Sequence, residues 1–199
     1  MELIKEVPIN TKGGTARFYA ARVEFNDKTV LYSEIEALET RHMVTINRYV
    51  GIPLSRAFDG TVFFIMSNGK KQKIDLRAVA MFGIPIMNNP QKYEELYPEL
   101  FEAIFSIVAK SMAQKYIDMI KEGATVEVAG LAINSTEAKP TKKSKKPVII
   151  NKDNYRDFEI TKGDGVAIYD KPGNLIWQSS FVSNKNAFLI PHIFNAIFA

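Results

Sequence analysis

Apolar and polar residues alternate with a period near two over the early part of the chain and again near its end, with a helical period between. Phe18-Tyr19-Ala20-Ala21-Arg22-Val23-Glu24-Phe25 is rich in aromatic and β-branched types and predicts strand. Asn26-Asp27-Lys28 predicts a turn, and Thr29-Val30-Leu31-Tyr32 resumes the strand. Ile35 to Ile46 continues in mixed alternation, and Pro53 and Asp59-Gly60 read as punctuation. Thr61 to Met66, Ser67-Asn68-Gly69-Lys70, and Lys71 to Leu76 together spell a hairpin, because Asn-Gly between apolar runs suits a turn whose central residues take positive φ. In its second arm Gln72, Ile74 and Leu76 share one face while Lys71, Lys73 and Asp75 meet water, as in a sheet with one wet side.

The period then lengthens. Tyr93, Leu96, Tyr97, Leu100, Phe101, Ile104, Phe105, Val108, Met112 and Ile120 fall at steps of three and four, which predicts an amphipathic helix, or two in sequence. Asn88 or Asn89 can cap it, Pro90 suits its first turn, and Gly123 can end it. Pro98 predicts a break, since it removes a hydrogen bond and clashes with the preceding turn, so the long part is expected from about Pro98 to Glu122. Strand patterns return over 125–133, 148–150, 155–160, 166–169 and 175–178. The chain closes with an apolar helix whose buried face is Ile190, Ile193, Phe194, Ile197 and Phe198. Strands followed by a helix therefore occur twice, with an amphipathic helix available to cover what each sheet leaves bare.

Composition adds limits. The 199 residues are 46% hydrophobic and 24% charged, enough to bury a core. No apolar run reaches the length of a membrane span, and the charged Met1-Glu2-Leu3-Ile4-Lys5-Glu6 does not read as a secretory signal. There is no Cys, hence no disulfide, thiol nucleophile or thiolate metal site, which fits a cytoplasmic home. Of the 26 basic residues five are Lys between Lys139 and Lys146, and the 21 that remain face 22 acids. The positive balance is local and does not describe a surface that tracks a nucleic-acid backbone.

The helix ending Ile120-Lys121-Glu122-Gly123, the following Val126-Glu127-Val128-Ala129-Gly130-Leu131-Ala132-Ile133, then Gly165-Val166-Ala167-Ile168-Tyr169, Ile176-Trp177 and the closing stretch from Asn186 to Phe198 resemble a bacterial family of unknown function built from two tandem pleckstrin-homology-like units. The resemblance spans about residue 15 to the end. It implies an α+β, mainly β chain of two pleckstrin-homology-like barrels, each closed by a C-terminal helix, over residues 10–123 and 124–199. The stretch from Ala78 to Asn89 has no place in that plan. The family brings no known activity.

Candidate chemistry is sparse. The two histidines, His42 and His192, stand far apart in sequence without Cys, a poor basis for a metal site. Glu34, Glu36 and Glu39, and Asp153, Asp157 and Glu159, alternate with apolar residues as the wet face of a strand does. No glycine pattern cradles a phosphate and no serine sits in a nucleophile elbow. We therefore expect a non-enzymatic binding or scaffold module without catalytic residues, metal or cofactor. It would present loops or a strand edge to a protein or peptide partner, and bind no nucleic acid. An uncovered apolar stripe on the long helix would make a homodimer. The alternative expectation is adhesion to an anionic membrane through the Lys-rich loop 139–146, where Lys142, Lys143, Lys145 and Lys146 would contact phosphate at about 1 kcal/mol each.

Overall fold

Turn chemistry sets the strand order. The computed structural model describes residues 2–141, 148–161 and 165–199, and the chain divides into two units, Met1–Val108 and Ala109–Ala199. The first unit opens with β1 (Leu3–Pro8), β2 (Thr15–Tyr19), β3 (Arg22–Phe25) and β4 (Lys28–Leu31), an antiparallel meander in that order. Asn26 and Asp27 both take positive φ and close β3 onto β4, as short Asn and Asp side chains allow. A 3-10 turn over Tyr32–Glu34 then carries the chain into a second sheet.

That sheet is built on two long strands, β5 (Ile35–Tyr49) and β6 (Ile52–Met66), of 15 residues each. β7 (Lys71–Ile74) and β8 (Arg77–Met81) pair with successive stretches of β6, and β9 (Ile84–Met87) pairs with β8. Asn68-Gly69 does close β6 onto β7, but only Gly69 takes positive φ in this four-residue loop. Pro53 and Asp59-Gly60 do not interrupt β6. Pro53 sits near its start beside a bulge, where a missing ladder donor costs little. Gly60 lies mid-strand because a Cβ there would come within 2.7 Å of the Phe58 and Tyr97 rings.

Helix α1 (Pro90–Ala103) packs on β1, β6 and β8, and so touches both sheets of its unit. The Asn89 side chain accepts hydrogen bonds from the backbone N–H groups of Gln91 and Lys92, and Pro90 follows as the first helical residue. The break expected at Pro98 does not occur there. Pro98 is exposed, so the carbonyl it leaves without a donor can turn to water, and the helix continues. The irregularity comes later, as a π-type segment over Ile104–Ala109 that leads into α2 (Lys110–Lys121). The border between the units falls inside this helical run, before Gly123. The Phe25 and Phe64 rings, stacked at 5.8 Å, join the two sheets of the first unit through its core.

The second unit repeats the order on a smaller scale. β10 (Val126–Val128), β11 (Leu131–Ile133), β12 (Glu137–Pro140) and β13 (Ile150–Asn151) form one meander; β14 (Tyr155–Thr161), β15 (Gly165–Asp170) and β16 (Leu175–Ser180) form another. The amide of Asn184 donates to the Ala129 carbonyl and to Ser179 Oγ, both at 2.9 Å, and so ties the first sheet to the second. A short 3-10 turn over Ala187–Leu189 leads into α3 (Ile190–Ile197), which packs on α2. Phe181 and Phe188 stack at 4.0 Å, and Tyr155 meets Phe194 edge to face at 5.7 Å. These rings, with Ile190, Ile193 and Phe198, form the core of the unit.

The α+β, mainly β class is observed, but no sheet closes as a barrel among the described residues. The ladders stop where the backbone finds other partners. In the first unit this is the 3-10 turn after β4. In the second it is the turn after β13, where Asn151 and Asn154 side chains accept and donate the local hydrogen bonds.

Candidate binding surface

Periodicity explains one end of the second sheet and leaves the other in need of an explanation. Near the base, β5 and β6 pack Leu38, Phe64 and Val62 into the core. Beyond His42 and Gly60 the same two strands run on as an arm, widened by β8 and β9. Directly paired residues share a face, so Val44, Phe58 and Ala78 lie together, and Ile46, Arg56, Ala80 and Pro85 beside them. On this face sits α1, with Tyr97 against Phe58 and stacked on His42 at 4.5 Å, and Glu94 ion-paired to Arg56. The opposite face carries two rows, Thr45-Ala57-Val79-Met87 and Asn47-Ser55-Met81-Ile84, and no element of the first unit covers it.

The arm ends in two hairpin tips at the same end of the sheet, since the Phe82 N–H bonds the Leu54 carbonyl at 2.8 Å. Each tip places a bulky apolar residue and then a glycine at positive φ: Val50 at 47° before Gly51, and Phe82 at 49° before Gly83. Both central residues of a type I′ turn must take this conformation, which favours Asn, Asp or Gly and is costly for a β-branched or bulky side chain. Val50 is 83% exposed, and Tyr49, Phe82 and Ile84 are each 69% exposed. Of eighteen exposed large apolar residues among the described residues, eleven belong to this arm. The other seven are scattered through both units.

Charge is managed at the base of the arm. Asp59 pairs with Arg41 at 3.2 Å and accepts from Thr61 at 2.7 Å. Asp75 accepts two hydrogen bonds from the Arg77 guanidinium and one from Lys73, all at 2.6 Å. Burial alone would raise the Asp75 carboxyl, but these hydrogen bonds and charges hold it below the ordinary carboxylate value.

Of the residues singled out in the sequence, those described lie outside the two tips. Lys142, Lys143, Lys145 and Lys146 lie outside the described residues. Lys139, in β12, pairs with Glu137 at 2.5 Å. His42 lies in the first unit against Tyr97 and Phe58, and His192 lies in α3 of the second. Glu39 pairs with Lys71 and Asp157 with Arg156, while Glu159 accepts from the Tyr169 hydroxyl, so these carboxylates serve strand surfaces. Among the described residues no group of three or more metal-ligating side chains gathers. A cleft between the inner face of the arm and the start of α1, lined by Pro53, Leu54, Arg56, Pro85 and Pro90, measures about 200 Å³. The roughly 300–1,000 Å³ usual for small-molecule sites is reached by shallower hollows, such as one of about 520 Å³ lined by Thr15, Arg17, Glu24 and Lys28 on β2, β3 and β4. No helix of the described residues is long and apolar enough to cross a membrane.

The arm escaped the sequence reading. Its signals were an acid-free apolar stretch from Met43 to Phe58 and the unplaced 78–89 segment, each with a bulky residue before a glycine. No protein-family model matches the chain, and no curated protein matches it.

Proposed function

We propose that this chain is a non-enzymatic binding or scaffold module built on two pleckstrin-homology-like units, and that the arm of the first unit is its docking surface for a protein partner. The order of elements supports the architectural part. Each unit runs from a four-stranded antiparallel meander through a second antiparallel sheet to a helix, and in the second unit α2 precedes the meander. The first unit adds β8 and β9 to that plan. A place in the cytoplasm is proposed on the cysteine-free composition alone.

One observation carries the functional part: apolar exposure is concentrated at the two tips, in left-handed turns that the side chains disfavour. Strain and exposure cost stability, and they persist in a fold when the surface serves something else. The test is site-directed photo-crosslinking in the native host. A crosslinking residue at Phe82 or Ile84 is expected to yield discrete protein adducts, while the same residue at Val182, also exposed but in the second unit, yields none. Adducts equally abundant at all three positions, or at none, would reject the arm as the docking surface.

A further inference from the structure

We infer that the arm joins a second copy of this chain, edge to edge through β5 and about a two-fold axis. This rests on the arm being the docking surface and names what occupies its β5 edge.

β5 is the outermost strand of its sheet on one side and, among the described residues, pairs with β6 alone; the bulge at Asn47 and Arg48 puts its extra residue, Leu54, in β6 and leaves β5 regular there. From Met43 to Tyr49 it contains no Pro and no Lys, and a single charged residue, Arg48. Edges left in this state are templates for pairing, and proteins that remain single blunt them with Pro, Lys, bulges or a covering element. The opposite edge, β9, is blunted by Pro85, which has no N–H to offer. The two edges of one sheet are therefore treated differently, and β5 is the open one.

An antiparallel ladder between two copies of one strand is self-complementary, which is what a two-fold interface requires. Centred on Ile46, the ladder sets Ile46 against its own copy, Met43 against Tyr49, Thr45 against Asn47, and Val44 against Arg48. The two Arg48 residues then stand about 13 Å apart along the ladder, beyond mutual repulsion at ordinary salt. Every other position in the pairing is uncharged.

Charge and self-complementarity choose the occupant. The exposed apolar residues on β5 itself, Met43, Val44, Ile46 and Tyr49, are 38–69% exposed and stand in the ladder, while Met81, Phe82, Ile84, Ile86 and Met87 lie toward β8 and β9 and stay outside it. From Met43 to Phe58 and from Ala78 to Asn89 there is no Asp, Glu or Lys, and of the two Arg residues Arg56 is tied to Glu94. A surface made for anionic lipid carries a basic rim, and one made for a charged protein carries the opposite sign. This one is depleted of charge and holds Met43, Met81, Met87, Tyr49 and Phe82, the composition of the core of a protein interface. A second copy matches it without any further requirement.

The full chain contains no cysteine, so a single introduced one reports directly. Light scattering over about a hundredfold dilution should show a species of twice 22.4 kDa that dissociates on dilution. Ile46→Lys should give the monomer at every concentration with an unchanged circular dichroism spectrum. Ile46→Cys should form a disulfide-linked dimer under mild oxidation, and Phe82→Cys, more exposed but away from the axis, should not. Monomer throughout, a dimer that survives Ile46→Lys, or no link through Cys at 46 would each overturn the inference. Flotation with phosphatidylglycerol vesicles in place of dimerisation would do the same. A monomer whose tips still crosslink to another host protein would overturn the second copy while leaving the docking surface in place.

Discussion

After α2 the second unit follows the order of elements of the first, and only the first extends its second sheet into an arm. β5 and β6 have 15 residues each, whereas β14, β15 and β16 have seven, six and six. The second unit spends its large apolar side chains on a core of Phe181, Phe188, Ile190, Ile193 and Phe194, all fully buried. The first builds a comparable core at the base of its long strands and then carries apolar residues outward to Val50 and Phe82. The second unit shows that the shared plan closes without such an arm, so the apolar surface of the first is surplus to folding.

Substitutions should separate core from surplus. Phe188→Ala removes a fully buried ring and should cost about 3–5 kcal/mol, read by urea denaturation with Trp177, the only tryptophan, as a reporter within the second unit. Val50→Ser at the arm tip should leave stability within about 0.5 kcal/mol. A large loss at Val50 would mean that the arm belongs to the core after all. Gly60→Ala tests the point where arm and core meet. Its methyl group must displace two rings, and a cost of about 1–3 kcal/mol is expected in the same measurement.

The pH dependence tests what the units share. Burial, assisted by the Asp157 charge, pushes the Tyr155 hydroxyl up to about 12, and burial likewise raises Tyr32 in the first unit. A group whose folded pKa is raised contributes stability that is complete below its unfolded value and lost as pH rises toward the folded one. The chain should therefore weaken progressively from about pH 10 upward. Tyr155→Phe should flatten that loss in Trp177 fluorescence, at the expense of the 2.7 Å hydrogen bond from Tyr155 to Asn195. A flat profile in the parent chain between pH 9 and pH 12 would contradict the burial of both tyrosines. In acid the sign reverses. Asp75 has a lowered folded pKa, so its contribution is present above about pH 4 and lost as pH falls through the folded value, and Asp75→Asn should remove that part of the slope. The smallest effect is expected at the tips. Val50→Asn with Phe82→Asn relieves two left-handed strains and should stabilise the chain by about 0.5–1 kcal/mol, seen as a small rise in Tm.

Legibility followed local chemistry. Asn26-Asp27, Asn68-Gly69, the Asn89-Pro90 helix start and the closing helix could be read from the chain because each carries its own turn or cap residues. Of the expected buried face of α3, only Ile197 is half-buried rather than buried. The arm was not legible, for two physical reasons. Its tips use Val50-Gly51 and Phe82-Gly83, where local preference opposes the observed turn. The continuity of β6 through Pro53 and Gly60 depends on a bulge and on the Phe58 and Tyr97 rings, which only the folded chain brings together. The open sheets follow from the same limit, since hydrogen bonds that end a ladder are made by residues such as Asn154 that read simply as loop. The Lys-rich stretch drew the sequence reading because charge runs are visible without a fold, whereas an uncovered sheet face is not.

Amide hydrogen exchange on the full chain, at dilute and at high protein concentration, tests the central claim most directly. Pairing through the edge of β5 predicts that the outward amides between Met43 and Tyr49 become protected as concentration rises, while those of β16 in the second unit do not change. Exchange at 43–49 that stays fast and identical at both concentrations would contradict it.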